Sequence, residues 1–217
     1  MKMKELHRLI YQALETERGC VYAYQTAIRC AALAELGEWW RGQLGRAQAR
    51  AELLRNLCVE LDLNPDLESA TQKIVRYRAQ TAVLTMELSQ KFATRDAAQI
   101  VAAECIAELE AKVQLNWQLL SESVHHASGQ LRGVLERACR EYLAYEKYFQ
   151  TAVDWPKELS FQALGLPSDA AAPPSALGPS RRPRASFVAR IGREGARASD
   201  AASDARESKV EKLRVSG

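Results

Sequence analysis

Apolar residues recur at alternating spacings of three and four over long, almost unbroken stretches of the first 168 residues. This spacing places them on one face of an α-helix. Within this region prolines occur only at positions 65, 156 and 167, each at the edge of such a stretch. The pattern predicts helices over about 3–34, from near Trp40 to Asn64, over about 67–93, from Asp96 to near His126, and from before Leu135 to just before Pro156, with a short segment over 157–164.

The lengths and connections of these helices indicate how they pack. Short turns join the first helix to the second and the fourth to the fifth, so each pair is expected to be antiparallel. The third stretch, over about 67–93, would span about 40 Å at 1.5 Å per residue, enough to carry the chain from one end of a bundle to the other. We therefore predict an all-α fold, a ferritin-like four-helix bundle with one long crossover helix.

The composition changes near residue 169. Residues 1–168 hold 20 basic and 21 acidic residues, whereas 169–217 hold ten basic and six acidic residues with few large apolar ones. Such a segment cannot bury enough surface to offset its ordering entropy. We predict a helical bundle over 1–168 and a disordered basic tail over 169–217. The tail suits contact with nucleic acid or an anionic surface, and a solubilising extension fits it as well.

Targeting and redox signals indicate a cytoplasmic protein. No apolar run approaches the roughly 20 residues that a transmembrane segment needs. The first nine residues alternate charged and apolar side chains, unlike a signal peptide. The five cysteines are widely spaced and form no CxxC pair, which favours small buried thiols in a reducing compartment.

Two glutamates stand on apolar helical stripes, where core residues belong. Glu17 follows Ala13 by four residues, and Glu110 follows Ile106 by four. A carboxylate on a buried helix face is costly unless it is paired, protonated or bound to a metal. These two positions are therefore the first candidates for a functional site.

The two glutamates match two of the six or so ligands of a di-iron pattern. Ferritin-like di-iron sites take one Glu from each of two helices and a Glu-x-x-His pair from each of the other two. Tyr24 lies two turns after Glu17 on the same face, a relation familiar from ferritins. The second helix offers Arg50 and no histidine, and the fifth offers Tyr145 and Tyr148 in place of Glu and His. The four tryptophans are interpreted as packing residues.

Six short segments between residues 15 and 167 carry a resemblance to a known family. They are ETERGCVYAYQTAIRC at 15–30, LCVELDLNPD at 57–66, VAAEC at 101–105, EAKVQLNW at 110–117, WPKEL at 155–159 and ALGLP at 163–167. Together they resemble a family of uncharacterised bacterial ferritin-like proteins in the rubrerythrin/ferritin superfamily.

The resemblance implies a ferritin-like fold with degenerate di-iron ligands. Glu17 and Glu110 match the family pattern. The position of Arg50 tends to be His in that family, and Gln114 stands in place of another His. Tyr145 and Tyr148 likewise stand where the family carries Glu and His.

We hypothesise that Arg50 has replaced the charge of the metal. Its guanidinium would reach Glu17 and Glu110, with the hydroxyls of Tyr145 and Tyr148 filling the remaining acceptors. One arginine leaves one carboxylate charge uncompensated, so one glutamate should have a raised pKa. Two alternatives remain open: both glutamates reach solvent because the helical register is shifted, or both ligate iron.

Two functions fit these residues. The ligand count favours a metal-free bundle that is not an enzyme, carries no cofactor and acts as a binding or structural module, paired with a second copy or with an intact ferritin-like relative. The alternative is an iron-binding di-iron carboxylate protein with oxidase- or peroxidase-type chemistry, in which Glu17 and Glu110 are the metal ligands. A third interpretation makes the tail the functional part and the bundle a dimerisation platform.

Overall fold

A computed structural model of the protein describes residues 1–166 of its 217. This part of the chain consists of helices joined by short turns and contains no strand. The helices are α1 (Met3–Cys30), α2 (Ala34–Glu60), α3 (Ala70–Phe92), α4 (Arg95–His125), α5 (Gly129–Glu146) and α6 (Phe149–Leu164). The prediction of an all-α fold is confirmed for these residues, and the predicted tail over 169–217 lies outside them. None of these six helices is both long and apolar enough to cross a lipid bilayer.

Helices α1 and α4 lie at the centre of the packing. α1 contacts α2, α3 and α4, and α4 contacts α1, α3, α5 and α6. Because α2 also contacts α5, the helices α1, α2, α5 and α4 enclose a common apolar core. α3 makes extensive contacts with α1 and α4 only, so it covers this pair of helices from outside.

The predicted stripe of α1 forms the middle of the core. Its apolar members, such as Ile10, Cys20 and Ala27, are fully buried. α1 ends at Cys30, earlier than predicted, because the side chain of Gln99 on α4 binds the backbone of the residues that follow. The backbone N–H groups of residues 32 and 33 both donate to Gln99 Oε1 at 3.1 Å, which satisfies donors that the helix would otherwise have bonded.

Side-chain caps start the third and fourth helices. The hydroxyl of Ser69 accepts from the backbone N–H of Gln72, and the Gln72 side chain accepts from the backbone N–H of Ser69, which forms a capping box. Thr94 caps α4 by accepting from the backbone N–H of Ala97 at 3.3 Å. Asp96 lies in the first turn of α4, where a carboxylate complements the helix dipole.

A glycine allows α1 and α3 to approach closely. A Cβ atom placed on Gly19 would lie 2.5 Å from the Cβ of Ala79 on α3. Such a distance is well inside van der Waals contact, so any side chain at position 19 would push the two helices apart. The small residues therefore set how α3 lies over the α1–α4 pair.

The predicted fifth helix is wrong in its extent, because the chain breaks it in two. α5 ends at Glu146 and α6 begins at Phe149, with Lys147 and Tyr148 between them. The backbone N–H of Tyr148 bonds to the carbonyl of Tyr145 at 3.1 Å, a tighter turn than that of an α-helix. Beyond this turn, α6 packs against α4.

Pro156 was expected to end a helix and instead lies inside α6. A proline in a helix interior loses one backbone hydrogen bond and normally destabilises the helix. Here Ala152, Trp155 and Leu159 are buried on the same face of α6, and burial of that face against the core outweighs the loss. α6 ends at Gly165, whose φ of 65° is the left-handed conformation that favours glycine.

Candidate functional site

The guanidinium of Arg50 lies between the two glutamates of the core stripes. Arg50 comes from α2, Glu17 from α1 and Glu110 from α4. Arg50 Nε donates to both carboxylate oxygens of Glu17 at 2.9 Å, and Arg50 Nη2 donates to Glu110 Oε1 at 2.8 Å. The three residues are 2 %, 1 % and 5 % exposed, respectively, so the ion bridge lies inside the core.

Each of the two carboxylates also accepts one hydrogen bond from an aromatic side chain. The hydroxyl of Tyr24 donates to Glu110 Oε1 at 2.8 Å, and Trp117 Nε1 donates to Glu17 Oε1 at 3.1 Å. Both aromatic residues are fully buried. Hydrogen bonds to an ionised acceptor are about twice as strong as neutral ones. We refer to Glu17, Tyr24, Arg50, Glu110 and Trp117 together as the Arg50 network.

The aromatic hydrogen bonds of the Arg50 network cross between α1 and α4, because these two helices are antiparallel at this level. Tyr24 follows Glu17 by seven residues on α1, and Trp117 follows Glu110 by seven on α4. Seven residues are close to two helical turns, so each pair shares one helix face. Each aromatic residue nevertheless donates to the glutamate of the opposite helix. The four side chains therefore form two layers, and Arg50 connects them from α2.

The Arg50 network contains two carboxylates and one guanidinium. Burial raises the pKa of Glu17 to about 7; Arg50 counteracts this effect and the neighbouring Glu110 adds to it. Burial also disfavours the charged form of Arg50, but the two carboxylates outweigh it and hold the pKa of Arg50 well above its usual range. The guanidinium therefore stays charged, and Glu17 takes up a proton near neutral pH.

The side chains around the Arg50 network hold it in place and add no reactive group. Tyr142 of α5 stacks on Trp117, with ring centroids 4.4 Å apart and an interplanar angle of 11°. Burial and the charges of Glu110 and Glu17 raise the pKa of the Cys20 thiol well above its usual range. Because the thiolate is the nucleophilic form, Cys20 is a packing residue here.

The structure brings together four of the six residues predicted for this site, namely Glu17, Tyr24, Arg50 and Glu110. The expectation that Tyr145 and Tyr148 fill the remaining acceptors differs from the geometry. Tyr148 lies in the break after α5, with its ring centroid 3.7 Å from Cζ of Arg46. Tyr145 is half-buried at the edge of the core. Tyr142, one turn earlier, is the α5 residue that packs against the network.

Trp117 is the member of the Arg50 network that sequence reasoning missed, because it was interpreted as a packing residue. Its signal was present in the spacing. Glu110 and Trp117 are seven residues apart, as are Glu17 and Tyr24. This spacing places each donor on the face of its own helix's carboxylate and so marks Trp117 as a candidate member of the site.

The residues of this site do not fit a di-iron centre. Within residues 1–166, no three His, Cys, Asp or Glu side chains are grouped so that they could hold a metal ion. The nitrogens of Arg50 lie 2.8 and 2.9 Å from the carboxylate oxygens that would have to bind iron. A guanidinium has five N–H donors and no acceptor, so it cannot serve as a ligand itself.

Comparison with known protein families, with curated proteins and with solved structures found no match to this chain.

Proposed function

We propose that this protein is a ferritin-like helical bundle in which Arg50 takes the place of a metal, and that it acts as a binding or structural module without oxidase chemistry. The observation that carries the proposal is the position of the Arg50 guanidinium. It makes three hydrogen bonds to Glu17 and Glu110 in the interior of the bundle. These are the two positions at which the ferritin-like pattern puts its single glutamates.

The course of the chain supports a ferritin-like bundle. α4 is antiparallel to α1 at the Arg50 network and packs beside it, while α2 packs against α5. α3, with 23 residues, would span about 34 Å, which is roughly three-quarters of the length of α4 with its 31 residues. A helix of that length between α2 and α4 acts as the crossover of a ferritin-like bundle.

The chemistry of the site supports a role without redox steps. The guanidinium keeps its charge at all ordinary pH values and exchanges no electrons. All five members of the Arg50 network are at most 5 % exposed, and their hydrogen bonds point at one another. The network thus ties α1, α2 and α4 together, and partners of the bundle must bind at its surface.

Metal content tests this proposal directly. The untagged full chain is produced in iron-supplemented cells, and its metals are measured by mass spectrometry beside those of Glu17→Ala. We expect no stoichiometric iron in either protein. About two irons per chain, lost in Glu17→Ala, would instead support the di-iron alternative and overturn the proposal.

Oxygen consumption separates the two functions by a second readout. The full chain is supplied with ferrous iron under air, and uptake of oxygen is compared with that of Glu17→Ala. We expect both proteins to match the protein-free rate. A wild-type rate above it that Glu17→Ala abolishes would assign oxidase chemistry to this site.

A further inference from the structure

The outer face of α3 carries an unpartnered stripe of large apolar side chains. Ile74, Tyr77, Leu84, Leu88 and Phe92 are 46–75 % exposed. Their spacing of three, seven, four and four residues keeps them on one side of the helix. The inner face of α3 buries a different set, Val75, Ala79 and Met86, against α1 and α4. We call the exposed set the α3 stripe.

A groove of about 740 Å³ runs beside the α3 stripe, between α3 and α4. It is lined by apolar residues such as Val101 and also by charged ones such as Arg78 and Lys112. Leu115 lines the groove from α4, and Leu115 and Leu119 are both more than 40 % exposed. Exposed apolar side chains that gather on one face mark interaction sites on soluble proteins.

Four of the five members of the α3 stripe are nearly symmetric about Thr81. Ile74 and Leu88 lie seven residues to either side of it, and Tyr77 and Leu84 lie four and three residues to either side. Reversing the direction of the helix therefore exchanges Ile74 with Leu88 and brings Tyr77 to within one residue of Leu84, with the small Thr81 at the middle and Phe92 beyond the symmetric part. A surface with this property is complementary to a second copy of itself across a two-fold axis.

Charges of opposite sign flank the α3 stripe at nearly symmetric positions, eight residues before Thr81 and six residues after it. Lys73 and Glu87 are fourteen residues apart, which is nearly four helical turns, so they lie on the same flank of the stripe. This is the α1 flank, because Glu87 lies 3.4 Å from Arg29 of α1. In an antiparallel pair of α3 helices, Lys73 of one copy faces Glu87 of the other. Complementary charges at such flanking positions set the orientation of paired helices.

We propose that the protein forms a homodimer in which the α3 stripes of two copies pack antiparallel about Thr81. Ile74 and Tyr77 of one copy contact Leu84 and Leu88 of the other, and a Lys73–Glu87 ion pair closes each end. One helix pair with its flanks buries less than the standard protein interface of about 1,600 Å², so the dimer exchanges with monomer at micromolar concentrations. This proposal does not rest on the function proposed for the Arg50 network.

Sedimentation equilibrium of the full chain from about 1 to about 100 µM tests the dimer. We expect a monomer–dimer equilibrium in the wild type and at least about a tenfold weaker association in Leu84→Glu, because a charge would enter the seam. Val59→Glu is the matched control, since Val59 is a comparably exposed apolar residue on α2. It should associate as the wild type does.

Charge reversal tests the orientation and protects the conclusion from misfolding. Lys73→Glu and Glu87→Lys should each weaken association by about threefold to tenfold, and the double variant K73E/E87K should restore it. A chain that stays monomeric, a dimer that Leu84→Glu leaves intact, or a double variant without recovery would each overturn the proposal. A monomer in which α3 is strongly protected from hydrogen exchange would also overturn the proposal. It would indicate that residues 167–217 of the same chain cover the stripe.

Discussion

The Arg50 network and the α3 stripe invert the usual distribution of side chains. The centre of the bundle holds an arginine and two glutamates, all at most 5 % exposed. The outer face of α3 instead presents five large apolar side chains to the surroundings. The buried charges have partners within the chain, with distances of 2.8–3.1 Å, whereas the five apolar side chains remain 46–75 % exposed. The buried charges are satisfied within one chain, whereas the exposed apolar side chains leave a surface on which a second chain could pack.

The two regions contribute to different free energies, the Arg50 network to that of folding and the α3 stripe to that of association. A buried charge without its partner is destabilising by several kcal/mol, so the Arg50 network must be satisfied before the core can close. An exposed leucine costs little in the monomer because it is also exposed in the unfolded chain. Substitutions in the two regions should therefore have opposite effects: those in the network change stability, and those in the stripe change association.

The largest expected effect is that of Arg50→Ala. It leaves Glu17 and Glu110 buried without a cation, and breaking a buried pair in this way costs about 3–5 kcal/mol of unfolding free energy. Urea denaturation measures this loss. The control is Arg55→Ala, since Arg55 makes only an exposed ion pair with Asp66 at 3.3 Å and should lose less than about 1 kcal/mol. Equal losses in the two variants would show that the network does not stabilise the fold.

The next effect is a pH dependence of stability. Burial raises the pKa of Glu17 to about 7 from an ordinary value of 4.5, so between these pH values the folded state binds more protons than the unfolded state. The unfolding free energy should therefore fall as the pH rises through this window, by on the order of 3 kcal/mol in total, and then level off. Urea denaturation at a series of pH values measures the slope.

Glu17→Gln should flatten this slope, because the amide does not titrate. Glu52→Gln provides the comparison, since Glu52 is exposed on α2 and its replacement should leave the slope as it is in the wild type. A Glu17→Gln variant with the full wild-type slope would assign the titration to a group other than Glu17.

A smaller effect is expected for Tyr24→Phe, which removes one donor to Glu110 and keeps the ring. Loss of a hydrogen bond to a charged group should lower the unfolding free energy by about 1.5–3 kcal/mol. Tyr22→Phe removes the same hydroxyl from an exposed side chain on α1 and should change it by less than about 0.5 kcal/mol. If both variants unfold alike, Tyr24 does not stabilise the carboxylate.

The smallest effect is expected for the α3 stripe in the monomer. Measured below the dimerisation range, Leu84→Ala should change the unfolding free energy by less than about 0.5 kcal/mol, because Leu84 is more than half exposed. Leu54→Ala on α2 is the matched substitution in the core, where Leu54 is fully buried, and it should cost about 2–5 kcal/mol. A comparable loss at Leu84 would show that the stripe stabilises the monomer, and would contradict the expected difference between the two regions.

Much of the helical organisation could be predicted from the sequence by itself. The stripes of α1, α2 and α4 repeat over many turns, and such long periodic signals determine the type of an element and its buried face. They also determined that Glu17 and Glu110 lie among core residues, and the residue types determined that Arg50 was a candidate to accompany them.

Only the tertiary structure decided which groups meet. The crosswise donors Tyr24 and Trp117, the exclusion of Tyr145 and Tyr148, and the continuation of α6 through Pro156 all depend on how far one helix is shifted and rotated against another. Periodicity along one helix carries no information about that shift, because it follows from the packing of all side chains at once. The unpartnered face of α3 is of the same kind: its apolar spacing is written in the sequence, but only the packing of α3 on α1 and α4 shows which face stays outside.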